Sequence, residues 1–186
     1  MIILYPTETV YALGVNAFDA EAVEKLFALK ERERDKTVSV LVRGMEDVER
    51  WAVVPPKAQL LAAEFLPGAL TLVLRARDFV PRHLLASDGT LGFRISSDSV
   101  AAELINEFMT KHDAPLTCTS ANKSRLPTLP TPKEILGQFG QEATLIGKVY
   151  DDGTRHGVPS TIVRVVGEKV EVLRVGSLAD VIYRAW

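Results

Sequence analysis

Two polar clusters, far apart in the chain, hold the side chains best suited to chemistry. The first is Lys30-Glu31-Arg32-Glu33-Arg34-Asp35-Lys36, at the end of an amphipathic segment. The second is Thr119-Ser120-Ala121-Asn122, just after the apolar stretch Ala114-Pro115-Leu116. Neither contains an obvious catalytic acid, base or nucleophile. Cations together with small hydroxyl and amide donors bind and neutralise oxyanions, which suits phosphoryl or nucleotidyl transfer, where catalysis is mainly positioning and charge stabilisation. In that reading Lys30 and Arg32 reach phosphates as the chain leaves a helix, Arg as a bidentate fork and Lys as a point charge. Each cluster alone also fits a plainer role. Residues 30–36 suit a solvated helix end, and the hydroxyls at 119 and 120 suit the cap of a following helix.

Three further segments carry polar groups in unusual settings. Tyr5-Pro6-Thr7-Glu8-Thr9-Val10-Tyr11 gathers hydroxyls, a carboxylate and two phenols around a proline turn, and turn chemistry alone accounts for such a composition. Arg94 stands inside the apolar run Leu91-Gly92-Phe93-Arg94-Ile95, so it must be paired or face a ligand. Asp152-Gly153-Thr154 and Gly157-Val158-Pro159-Ser160-Thr161 form a glycine-rich loop entering a strand, either a hairpin or a lid. It is not a Walker loop, because the Gly-Lys-Ser/Thr ending is missing. His83, His112 and His156 have no metal-ligand spacing and read as surface residues. Nothing pairs Cys118 with a nearby base, so it reads as a strand residue and not a nucleophile.

The elements that must position these groups follow from periodicity and caps. Residues 1–5 predict a strand, residues 6–9 turn the chain, and Val10–Leu13 continues the strand. Asp19 is a plausible N-cap for a helix over Ala20–Leu29, with Val23, Leu26, Phe27 and Leu29 apolar. Val38–Val42 is strand-like, Met45–Trp51 a short helix, and Lys57–Phe65 a second helix stopped by Pro67-Gly68. Leu70–Arg75 predicts a strand buried on both faces, Leu91–Ile95 another, and Ser99 the cap of a helix over Val100–Thr110. Pro115–Thr119 and Leu145-Ile146 read as strands, Pro132–Phe139 as a short helix, and Ser160–Val166 with Lys169–Val175 as a hairpin turning at Gly167-Glu168. Helices interspersed with strands of mixed direction give an α/β or α+β domain around one twisted sheet.

The bulk composition bounds the function. At 186 residues, with 47% hydrophobic and 25% charged, the chain suits one globular domain over residues 1–186. No apolar run approaches the roughly 20 residues of a membrane span. Met1–Pro6 lacks the basic start and long apolar core of a signal peptide, and a single cysteine excludes a disulfide framework, so the expected location is cytoplasmic. The net charge of −2 argues against wholesale nucleic-acid binding, whereas residues 30–36 carry four cations against three acids, enough for a small basic pocket.

Taken together and in order, YPTETVYALG, the Lys-x-Arg at 30–32, PGALTLVL, GTLGFR, TSAN, the DDG…GVPSTIV loop and the closing VLRVG resemble the YrdC-type L-threonylcarbamoyladenylate synthases, over residues 3 to 177. The Lys-x-Arg and Ser-x-Asn pair is the most specific part. The resemblance implies a twisted mixed sheet with flanking helices around a deep, positively lined cavity, a YrdC/RibB-like fold. It implies synthesis of threonylcarbamoyl-AMP and pyrophosphate from L-threonine, bicarbonate and ATP with Mg²⁺. A threonylcarbamoyl-transfer complex would then pass the group to adenosine 37 of tRNA. By motif position, Arg32, Lys36, Thr90, Ser120, Thr128 and Arg174 would face ATP, with Lys30 and Asn122 completing the two signature groups. Thr7, Tyr11, Arg94, Cys118 (through its backbone) and Ser160 would form the threonine pocket. No resident metal site is implied.

The chain departs from the usual family pattern. Ala12 replaces a glycine, Glu33 and Thr37 stand where prolines are common, and Leu41 stands at a common histidine. Ser96 and Asp98 replace a proline and a histidine, and Ser124-Arg125 replaces Ser-Gly. The Leu41 change is expected to weaken threonine binding or alter amino-acid choice. The start is shorter than is usual, and the extra C-terminal domain of longer members is not expected. Two alternatives are an RNA-binding module without synthase activity and a paralogue that activates a different carbamate.

Overall fold

The computed structural model describes residues 1–33 and 36–178. Arg34 and Asp35 of the first polar cluster, and residues 179–186 including Trp186, lie outside the described residues. The chain order is β1 (Ile2–Tyr5), β2 (Ala12–Gly14), α1 (Ala20–Leu29), β3 (Ser39–Leu41), α2 (Met45–Trp51), α3 (Pro56–Phe65), β4 (Leu70–Arg75), β5 (Thr90–Arg94), α4 (Ser99–His112), β6 (Leu116–Ser120), α5 (Pro132–Phe139), β7 (Ile146–Val149), β8 (Thr161–Val166) and β9 (Lys169–Arg174). Short 3₁₀ turns at Arg82–Leu84 and Gly140–Leu145 complete it.

The strands form one nine-stranded mixed sheet in the order β7-β1-β2-β6-β3-β5-β4-β8-β9. Pairs β1/β7, β3/β5 and β4/β8 are parallel and the others antiparallel. The proline turn reverses the chain, so that Tyr5 lies opposite Ala12 in antiparallel register. The terminal hairpin forms as expected, with Val166 opposite Lys169. This is the mixed α/β architecture expected from the sequence.

The helices follow local rules. The Asp19 side chain accepts from the Ala22 amide at 3.0 Å and caps α1, whose buried face is Ala22, Val23, Leu26, Phe27 and Leu29. Helix α4 differs from expectation at both ends. Its cap is Asp98, whose carboxylate accepts from the Ala101 amide at 3.1 Å, so the helix starts at Ser99. It runs on to His112 because the apolar face continues through Met109, and it stops where Asp113 turns left-handed at φ 48°. The two faces of the central strands meet different surroundings. Leu72 and Leu74 of β4, Phe93 of β5 and Val163 and Val165 of β8 are almost fully buried in the core. Burying each such side chain contributes roughly 1.5–3 kcal/mol. The alternate residues face a cavity, so the apolar run of β4 is covered on one side by core and on the other by the site.

Candidate functional site

The period-2 geometry of strands builds the site. A cavity of about 400 Å³ lies over Thr71 and Val73 of β4, Thr90, Gly92 and Arg94 of β5, and Ser160, Ile162 and Arg164 leading through β8. These are the residues at i, i+2 and i+4 on one face. Gly92 makes the floor passable. A Cβ placed there would fall 2.8 Å from the Ser39 hydroxyl and 3.3 Å from the Thr71 methyl. Among the described residues, four arginines (Arg32, Arg94, Arg164 and Arg174) and one carboxylate (Asp88) line the cavity.

Each cation is fixed differently. Arg174 donates through Nε and Nη2 to the Ser160 carbonyl at 3.0 and 2.9 Å, and through Nη2 to the Ser160 hydroxyl at 3.1 Å. That hydroxyl also shares a hydrogen bond of 2.8 Å with Thr71. Burial, then the charges of Arg94 and Arg32, lower the proton affinity of the Arg174 guanidinium, so the three cations sense one another. Arg94 pairs with the Glu8 carboxylate, which also accepts from the Ser96 hydroxyl. Arg32 donates to the Thr37 carbonyl at 2.5 Å. Among the described residues, the Nε atoms of Arg32 and Arg94 are buried with no hydrogen-bond partner, a costly state for a charged group. Arg164 bridges Asp88 and Glu171, each at 2.7 Å. The second oxygen of Asp88 accepts from the Thr90 hydroxyl at 2.7 Å.

The two polar clusters meet through Lys30, which is only 2% exposed. Its amine donates to the carbonyls of Ser120 and, at 2.7 Å, of Asn122. Burial, and then the Arg32 charge, lower its pKa to about 7. The Ser120 hydroxyl donates to the Asn122 side-chain oxygen at 2.5 Å, and the Asn122 amide reaches the Leu126 carbonyl at 2.6 Å. The Ser124 amide returns to the Lys30 carbonyl at 2.7 Å. Lys30 is thus neither a solvated helix end nor part of the cavity wall. It is a strut under the 120–122 turn, because its chain leaves α1 pointing into the fold.

The structure brings eight of the thirteen residues singled out in the sequence to one cavity. Thr7, Arg32, Thr90 and Arg94 line it, as do Cys118, Ser120, Ser160 and Arg174. Lys30 and Asn122 sit behind the wall. Tyr11 also stands away from it. Its ring is buried and its hydroxyl is used up, donating to the Gly153 carbonyl at 2.8 Å and accepting from the Asp152 amide at 3.0 Å. Lys36 is exposed and pairs with Glu33 at 2.9 Å. Thr128 is half-buried and does not line the cavity. No helix follows β6 directly, so the Thr119-Ser120 hydroxyls do not act as a helix cap. Burial raises the pKa of the Cys118 thiol, which suits a strand residue. The three histidines are exposed. Sequence reading missed Asp88 and Arg164 on the wall. Counting in twos along the strand from Ser160 would have found Arg164.

A family model described as telomere recombination, Sua5/YciO/YrdC, matches residues 1–176. The chain belongs to the Sua5/YciO/YrdC family. It is 34% identical to the threonylcarbamoyl-AMP synthase of Pyrococcus abyssi over 95% of this chain and 51% of that protein. It is 32% identical to the threonylcarbamoyl-AMP synthase of Bacillus subtilis over 95% of this chain and 50% of that protein. The chain therefore spans about half the length of these two curated relatives. The crystal structure of P. abyssi Sua5 complexed with L-threonine superposes with a TM-score of 0.86 at 31% identity, covering 98% of this chain and 53% of that one. Escherichia coli YciO, at 24% identity and a TM-score of 0.82, shares the fold over 95% of this chain and 83% of its own.

Among the described residues, no helix is long and apolar enough to cross a membrane. Among the described residues, no cluster of three or more His, Cys, Asp or Glu side chains is placed to hold a metal ion. Asp88, on the wall, is already engaged by Arg164 and Thr90. Among the described residues, the side chains on the wall do not build a resident Mg²⁺ site.

Proposed function

We propose that this Sua5/YciO/YrdC chain is an L-threonylcarbamoyladenylate synthase, a nucleotidyltransferase acting on L-threonine, bicarbonate and ATP. The observation that carries the reading is the convergence of Arg32, Arg94 and Arg174 with Thr90, Ser120 and Ser160 on one cavity. Two buried guanidinium Nε–H groups there have no partner among the described residues. The relative whose structure holds L-threonine supports the amino acid as one occupant. Magnesium would enter as the counter-ion of ATP, held by phosphate oxygens and water, and no step is assigned to it.

The threonine amine takes up carbon from bicarbonate with loss of water, giving a carbamate. A carbamate oxygen attacks the α-phosphorus of ATP, the bond to the β-phosphate oxygen breaks, and pyrophosphate leaves. Arg32 and Arg174 offset charge on the phosphates as preorganised donors. Arg94 holds the threonine carboxylate, with Thr7 and Ser160 beside it. Ser120 is aimed by Asn122 and supported by Lys30. No covalent enzyme intermediate is needed, in keeping with a wall that offers no activated nucleophile. The product would pass to a threonylcarbamoyl-transfer complex and on to tRNA, in the cytoplasm.

The test is pyrophosphate release from ATP, L-threonine and bicarbonate. Removing the Arg32 guanidinium in Arg32→Ala should lower the rate on the order of a hundredfold. Release that is absent from the wild-type protein, or equal in the variant, would refute the reading.

A further inference from the structure

The loop between β7 and β8, residues 150–160, is tied across the proline turn by one side chain that does not line the cavity. Arg155 donates from Nε to the Thr7 carbonyl at 3.2 Å and from Nη2 to the Asp98 carboxylate at 2.9 Å. Its Nη1 donates to the Asp152 carbonyl at 2.7 Å, and it pairs with the Asp152 carboxylate. Its own amide is fixed to the Pro130 carbonyl at 2.9 Å. Two other contacts seat the same loop. Tyr11 is hydrogen-bonded to Asp152 and Gly153. Gly157 lies so close to the turn that a Cβ there would fall 2.0 Å from the Thr9 carbonyl oxygen, a gap that only glycine fits.

These bonds run on to the cavity. The Asp98 amide donates to the Ser96 hydroxyl at 3.2 Å, and that hydroxyl donates to Glu8. The other oxygen of Glu8 holds the Arg94 guanidinium. Glu8 stands between Thr7 and Thr9, on the turn that Arg155 grips. One guanidinium outside the cavity thus fixes both ends of the support for the guanidinium inside it. A connected network of largely buried charge-assisted bonds holds its members far more rigidly than isolated surface pairs.

We propose that Arg155 is a positioning residue. It latches the 150–160 loop onto the Thr7–Thr9 turn and, through Glu8 and Ser96, sets the orientation of Arg94 for the carboxylate of the amino-acid substrate. The proposal rests on the synthase reading for its substrate, but not for the latch itself. It divides the site. The amino-acid half depends on the latch, whereas Thr90 does not touch it and Arg174 meets the loop only at Ser160, its last residue, where β8 begins.

The test compares Arg155→Gln and Asp98→Asn with the wild-type protein. Asparagine caps helices as well as aspartate, so the second variant removes the ion pair while keeping the α4 cap. In steady-state pyrophosphate release, both variants should raise the KM for threonine about tenfold while leaving the KM for ATP within about twofold, as expected for a misplaced binding group on one side of the site only. Amide hydrogen exchange should lose protection at Thr9, Val10 and Asp152 in Arg155→Gln. Equal rises in both KM values, or an unchanged KM for threonine, would overturn the proposal. If the wild-type protein releases no pyrophosphate, the synthase reading alone has failed. The exchange comparison then decides the latch, and unchanged protection at those three amides overturns it.

Discussion

Replacing Lys30 with Met should change the way stability depends on pH, and in a direction opposite to that of a surface lysine. The amine is buried, and burial together with Arg32 lowers its pKa from 10.5 to about 7. Below pH 7 both the folded and the unfolded chains carry the proton, and the folded state bears the full penalty of a buried cation. Between pH 7 and 10.5 the folded protein has released a proton that the unfolded chain still holds. Stability therefore rises with pH across that window, by up to about 1.4 kcal/mol per unit. Integrated from pH 6 to pH 9, this gives the wild-type protein about 2.5 kcal/mol that Lys30→Met cannot gain. The mean effect of the substitution has no simple sign. It strips two carbonyls, those of Ser120 and Asn122, of a donor, but it also removes a desolvated charge. The slope avoids that ambiguity, because every other titration is common to the two proteins. Urea denaturation at pH 6, 7, 8 and 9 measures it. Thermal melts should show the wild-type advantage growing by roughly 5–10 °C over the same range for a chain of this size. A difference between the two proteins that stays constant to within about 0.5 kcal/mol from pH 6 to pH 9 would refute the argument, since it would mean that the carbonyls keep the amine charged throughout.

Two further substitutions test the cavity itself. Gly92→Ala should put a methyl group against Ser39 and Thr71 on the floor and lower pyrophosphate release at least about tenfold, and a normal rate would mean that substrates do not approach the floor. Arg174→Lys keeps the charge but loses the two-nitrogen grip on the Ser160 carbonyl. An ammonium without that anchor and without the planar fork should lose one charge-assisted bond to phosphate, of about 1.5–3 kcal/mol, and weaken ATP binding roughly tenfold or more by calorimetry, and unchanged affinity would exclude Arg174 from the nucleotide half.

The elements were legible where local physics decides them. The Asp19 cap, the apolar face of α1 and the prolines around α3 lie within a few residues of the structure they specify, and those helices form where expected. The α4 start was misplaced by one residue because Ser99 and Asp98 both suit a cap, and only the Asp98 bond to Ala101 separates them. The strand order was not legible. Parallel pairing of β4 with β8 joins segments about ninety residues apart, and no local signal encodes such a partner. The site divides in the same way. Residue types suggested oxyanion chemistry, and motif order anticipated that Arg32, Ser120 and Arg174 would line one cavity.

What residue types could not give is which polar group faces ligand and which holds another in place. Lys30 and Arg32 are two apart on the same exit from α1, yet one is spent on carbonyls beneath the 120–122 turn and the other lines the cavity. Tyr11 and Thr7 share one turn, yet the phenol is spent on the 150–160 loop. Arg155 has the same side chain as Arg94 and reaches the cavity only through a relay of bonds. The distinction lies in long-range partners. A buried donor is committed to whichever acceptor the fold brings within about 3 Å, and the fold decides this across sequence separations from 90 residues for Lys30 to 142 for Tyr11. A cation is free to meet a substrate only where the fold leaves part of it on the cavity wall, as it has for Arg32, Arg94 and Arg174.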